Sequence, residues 1–134
     1  MQDFTICNVN PHGMSPLSLA FVGDGVFELL VRERLLRNGP MPAGKLHRLA
    51  VRQVSAKAQA KTFDALAAAL NEDELAILRR GRNASGATVP KSCTPGEYRK
   101  ATAIEALFGY LYLSGELSRI NELYSIIEEI LGGE

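Results

Sequence analysis

The segment "SPLSLAFVGDGVFELLVRERLLRNG", residues 15–39, restricts the available folds more than any other part of the chain. It opens with Ser15 as an N-cap and Pro16 at the first helical position, and it stops at Asn38-Gly39 before Pro40. Leu19, Val22, Val26, Leu29, Leu30 and Leu36 spread apolar groups around much of its circumference. Such a helix is expected to be central and largely buried. Asp24 interrupts the apolar run between Gly23 and Gly25. Each glycine costs a helix interior about 1 kcal/mol against alanine, and a carboxylate buried without a partner is expensive. The rest of the chain has to supply what Asp24 meets.

Helix signals continue and strand signals are nearly absent. The run "AGKLHRLAVRQVSAKAQAKTFDALAAAL", residues 43–70, is alanine-rich and helical by propensity, with Leu46, Leu49, Val54, Ala58, Phe63, Leu66 and Leu70 as a core stripe. "NEDELAILRRGRN" opens with Asn71 and Glu74 in capping-box spacing, and Thr94, Pro95 and Glu97 repeat that signature before "YRKATAIEALFGYLYL". Gly115 closes the latter helix. A final amphipathic helix follows, with Leu117, Ile120, Leu123, Ile127, Ile130 and Leu131 on one side. Between them, "GRNASGATVPKSC" is expected to be a loop of functional length. With 134 residues and no linker or repeat, the expectation is one all-α domain over 1–134.

No apolar run approaches the roughly 18 residues of a membrane span. The opening "MQDFTICNVNPHG" lacks a basic region followed by an apolar stretch, so a cytoplasmic protein is expected. Cys7 and Cys93 are too few for a disulfide framework, and His12 and His47 form no zinc pattern with them. Net charge is zero, but its distribution is uneven. Residues 32–100 carry 14 basic and 6 acidic side chains, whereas residues 101–134 carry six acids and only Arg119. A basic middle of this kind can bind a polyanion. Lys45, Arg48 and Arg52 share one helix face, and Lys57 and Lys61 repeat the spacing.

Glu105 repeats the oddity of Asp24. One turn away stand Ala101, Thr102, Phe108 and Gly109, where an acid has little reason to be. Two stranded acids on two helices suggest that the helices meet, and the acids would repel unless a cation or a shared proton lay between them. Without His or Cys nearby, an all-oxygen site implies a hard cation, Mg²⁺ or Mn²⁺. Structural ion pairs are the alternative: Asp24 with Arg52, Glu105 with Arg99 or Lys100, and Glu28 with Arg32. An acidic metal site beside a polyanion surface points to phosphodiester chemistry.

The blocks "SPLSLAFVGDGVFELLVRERLL", "LHRLAVRQVSAKAQA", "LRRGRNASGATVPK" and "YRKATAIEALFGYLYL" resemble, in that order and spacing, the Mini-III ribonucleases, small bacterial relatives of ribonuclease III. The resemblance covers most of residues 15–113. It implies a homodimeric, all-α ribonuclease III catalytic domain that cuts double-stranded RNA with one Mg²⁺-dependent acidic site per subunit. Longer members carry E-x-x-E-x-x-x-D and a later D-x-x-E. Here Asp24 and Glu105 match the Asp and the last Glu, while Leu17, Ala20 and Thr102 stand at the other three positions. That departure is itself the Mini-III pattern. It leaves two protein carboxylates, with water and phosphate oxygens to complete the metal shell.

The resemblance also implies that no double-stranded-RNA-binding domain is appended, so the catalytic domain must grip RNA itself. Arg80, Arg82, Asn83 and Lys91, in and before the loop, are the expected contacts, with Lys57 and Arg52 behind them. Glu28 and Thr102 are candidates to orient metal waters, Glu28 more readily as a structural residue. The implied substrate is precursor large-subunit ribosomal RNA, with a large-subunit ribosomal protein as a possible helper in folding it. Rival readings are a non-catalytic RNA-binding or ribosome-assembly protein on the same fold, and a helical dimerisation module.

Overall fold

The computed structural model describes residues 9–84 and 88–132. Cys7, most of the N-terminal segment, and Ser85, Gly86 and Ala87 of the expected loop lie outside them. The described residues form seven α-helices and no strand: α1 (Pro16–Leu35), α2 (Ala43–Val54), α3 (Ala56–Lys61), α4 (Phe63–Ala68), α5 (Glu72–Asn83), α6 (Pro95–Leu113) and α7 (Leu117–Leu131). Short 3-10 turns at Pro11–Gly13 and Leu36–Asn38 flank α1.

The ends follow the chemistry of the caps. Ser15 Oγ accepts from Ser18 N, and both expected capping boxes form, Asn71 with Glu74 and Thr94 with Glu97. Gly115 takes φ +75° just past α6. The alanine-rich run is three helices rather than one. Ser55 Oγ accepts from Ala58 N at 3.1 Å and starts α3, and Thr62 Oγ1 donates to Gln59 O at 2.7 Å where α3 ends. Hydroxyls bonding to local backbone compete with helix continuation, which propensity summed over the run does not register. At the other edge of the loop, Arg82 and Asn83 belong to the last turn of α5.

The central helix is α6, not α1. From Ala101 to Leu111 every α6 residue except Glu105 and Tyr110 is buried, with α1, α3, α5 and α7 around it. Small residues set how closely the neighbours approach. A Cβ on Gly23 would lie 1.6 Å from Glu105 O, one on Gly109 1.9 Å from Leu19 O, and one on Gly81 2.8 Å from Ala103 Cα. Phe27 meets Phe108 and Tyr124 edge-on, with ring centroids 5.9 and 5.6 Å apart. Glu74 is buried and receives Arg119 through Nε and Nη2, both at 2.8 Å, tying α5 to α7. The guanidinium bond holds the Glu74 carboxyl below its usual pKa.

The expected burial of α1 is only half right. Leu19 and Leu30 are core residues, but Leu29 and Leu36 face outwards, as does Phe21 at 84% exposure. Leu117 of α7 is likewise exposed. Among the described residues no helix is long and apolar enough to cross a membrane.

A candidate cation site

The crossing of α1 and α6 brings the two acids together. Gly23 lies flush against the backbone of Glu105 and Gly109, so Asp24, one residue on, reaches the rim of the crossing. Asp24 is exposed there, contrary to the expected buried carboxylate, and the flanking Gly25 has open space around it. Of the two glycines, only Gly23 serves the close approach. The acid that loses solvent is Glu105, which is half-buried.

Burial pushes the Glu105 carboxyl up to about 8. Gln59 opposes the rise by donating to it, and Asp24 adds to it by its charge and by a hydrogen bond. A hydrogen bond between two carboxyl groups requires a shared proton, the metal-free solution to like charges in contact. No guanidinium is among the principal influences on Glu105. Lys100, a candidate partner for it, instead sits with Nζ 5.5 Å from the Phe63 ring centroid.

Gln59 is a site residue that the sequence did not disclose. It is 1% exposed; its Nε2 donates to Val54 O at 3.0 Å and to Glu105 Oε2 at 3.2 Å, while its Oε1 is buried with no partner. An amide in "SAKAQAK" carries no local sign of such a role.

The donor set suits a hard cation. Two convergent carboxylates, one sharing a proton that a cation can replace, and an unpaired buried amide oxygen are all oxygen donors. Among the described residues no group of three or more His, Cys, Asp or Glu is placed to hold a metal ion. Two carboxylates match the habit of Mg²⁺, which retains several waters. Glu28 is engaged by Arg32 at 2.8 Å, the i,i+4 ion pair. Thr102 is buried, with Oγ1 donating to Tyr98 O at 3.0 Å.

The candidate RNA contacts are all on the surface. Arg52 lies on α2, Lys57 on α3, Arg80, Arg82 and Asn83 on α5, and Lys91 in the connection to α6, each exposed. Arg82 is brought together with Lys100, which the sequence offered only as an ion-pair partner for Glu105, because both cations lie over Phe63, the guanidinium 6.0 Å from its centroid.

Residues 17–116 match the family model described as "Ribonuclease III domain". The chain is 49% identical over 114 residues to a protein named Mini-ribonuclease 3 from Symbiobacterium thermophilum, covering 85% of this chain and 88% of that one. The Mini-ribonuclease 3 of Brevibacillus brevis is 44% identical over 125 residues, with 93% of each chain covered. A crystal structure of a protein from Fusobacterium nucleatum superimposes with a TM-score of 0.82 at 33% identity, over 90% of this chain and 99% of that one. Together with the paired acids at the α1–α6 crossing, these likenesses show that the chain belongs to the ribonuclease III domain family, in its Mini-ribonuclease 3 branch, and is an endoribonuclease.

Proposed function

We propose that this endoribonuclease cleaves double-stranded RNA with Mg²⁺, or Mn²⁺ in its place, at Asp24 and Glu105. The substrate proposed is precursor large-subunit (23S) ribosomal RNA, and the products carry 5′-phosphate and 3′-hydroxyl ends. The observation that carries this reading is the meeting of Asp24 and Glu105 across two helices, with Glu105 raised by burial and by its neighbour. When bound, a divalent ion supplies a water of lowered pKa and offsets the charge gathering on the scissile phosphate. Asp24 and Glu105 hold that ion, and Gly23 keeps their helices close enough to share it. Arg80, Arg82, Asn83, Lys91, Lys57 and Arg52 neutralise phosphates along the duplex. A-form RNA is read mostly by shape, so little sequence specificity is expected.

The protein acts as a homodimer in this reading. Leu17, Phe21 and Leu29 stand exposed along α1 with Gly25 in register between them, a four-residue spacing that lines them on one face. A second copy of the same stripe covers it by two-fold symmetry. The dimer then places two sites to cut the two strands with a stagger.

The test is cleavage of a perfect RNA duplex by Asp24→Asn and Glu105→Gln. Each is expected to lose at least about a hundredfold in rate while still binding duplex in EDTA. Cleavage at the parental rate by either variant overturns the assignment. Mapping the ends produced from purified precursor rRNA tests the substrate.

A further inference from the structure

We infer that Gln59 is a positioning residue, holding the Glu105 carboxylate for the cation and accepting a hydrogen bond from that ion's hydration shell; the inference rests on the reading of Asp24 and Glu105 as a cation site. Val54 O belongs to the last turn of α2, where carbonyls lack helical donors. A carbonyl can only accept, so the amide nitrogen of Gln59 must face it. The same nitrogen meets Glu105 Oε2. Turning the amide over would set an oxygen against both acceptors, so its orientation is dictated by partners rather than chosen. Glu105 Oε2 is thereby held as an acceptor and its side chain is pinned to α3.

The other end of the amide is the stronger clue. Gln59 Oε1 is buried and unpartnered, and buried amide oxygens are rarely left so. It is bonded to the same carbon as the nitrogen that donates to Glu105, the other end of one planar amide. A cation held by only two carboxylates keeps several waters, each a donor seeking an acceptor. Packing alone explains neither the choice of an amide nor its unsatisfied oxygen. A leucine would fill the space between α3 and α6 without that cost.

The experiment uses the full chain, free of RNA. Parent, Gln59→Leu and Asp24→Asn are titrated with Mn²⁺, read by the electron-spin signal of the free ion, and with Mg²⁺ by calorimetry. Gln59→Leu is expected to weaken both ions about tenfold or more. Its half-saturating Mg²⁺ in cleavage should rise by a similar factor, while duplex affinity in EDTA stays at the parental value. A second measurement on the parent needs no substitution at Gln59. The chain has three glutamines, Gln2, Gln53 and Gln59, so ¹⁵N-glutamine labelling gives three side-chain amides, assigned by replacing Gln2 and Gln53 in turn. Saturating Mg²⁺ should displace the Gln59 amide resonances in the parent and leave them in place in Asp24→Asn. Parental metal affinity in Gln59→Leu, or unmoved Gln59 resonances in a metal-saturated parent, overturns the inference alone. A parent that takes up neither ion overturns the cation site itself.

Discussion

Replacing Gly23 by alanine should damage stability and activity through a single contact. The new Cβ would stand 1.6 Å from Glu105 O, 2.5 Å from Glu105 C and 2.9 Å from Gly109 N. All three are backbone atoms, so no side chain can swing aside. Ordinary contact begins at 3.4 Å, so α6 must retreat by about 1.8 Å along that direction. Overpacking of this kind costs about 1–3 kcal/mol or more, and alanine returns about 1 kcal/mol of helix propensity. The net loss is about 2 kcal/mol at the upper end of that range, or a Tm drop of about 6 °C. The functional loss is larger, because the retreat separates Asp24 from Glu105. Metal–ligand distances tolerate only about 0.2 Å, and a 1 Å misplacement can cost about a hundredfold in rate. Thermal unfolding with duplex cleavage reads both effects. Gly44→Ala is the control: its Cβ would meet only Arg48 Nη1 at 3.5 Å, and a gain of about 0.4–1 kcal/mol is expected. A Gly23→Ala protein that melts with the parent and cleaves at the parental rate refutes the reasoning.

Three further outcomes follow from the same geometry. Glu105 binds its proton more tightly folded, near pH 8, than unfolded, near 4.5, so its own contribution to metal-free stability is fully present below pH 4.5 and is lost, by a few kcal/mol, as pH rises towards 8. Glu105→Gln should flatten that fall, melting above the parent at pH 8 and with it at pH 4.5; parallel pH curves for the two proteins would contradict the assigned burial. Duplex affinity measured in EDTA should drop steeply with salt, and Arg80→Gln and Arg82→Gln should each lower the log–log slope by about 0.7–0.9. An unchanged slope would remove that arginine from the phosphate contacts. Phe21→Glu should convert a dimer to a monomer of unchanged helix content in analytical ultracentrifugation, and a persisting dimer would place the interface elsewhere.

Much of this molecule is legible locally. The helix starts at Ser15, Asn71 and Thr94 appear where their caps predict, because a capping bond joins residues three apart and needs no tertiary partner. The two acids also announce themselves, since a carboxylate among alanines and phenylalanines is anomalous whatever surrounds it. What surrounds them was harder to read. Asp24 sits in the more apolar run yet is exposed, and Glu105 is the acid that loses solvent. The breaks at Ser55 and Thr62 hide in an alanine-rich stretch whose average propensity favours one helix.

By itself, then, the sequence determined that the fold is all-α, where most of the helices begin, and which two carboxylates stand out. Only the tertiary structure decided that α6 rather than α1 is central, that Gly23 rather than Gly25 admits a neighbour, and that Gln59 lies against Glu105. The division has a physical cause. Periodicity and caps are settled by residues within one turn of each other, whereas burial and hydrogen-bond partnership depend on which helix lies across. Gln59 and Glu105 are 46 residues apart, and no rule of local spacing connects them until the chain has packed.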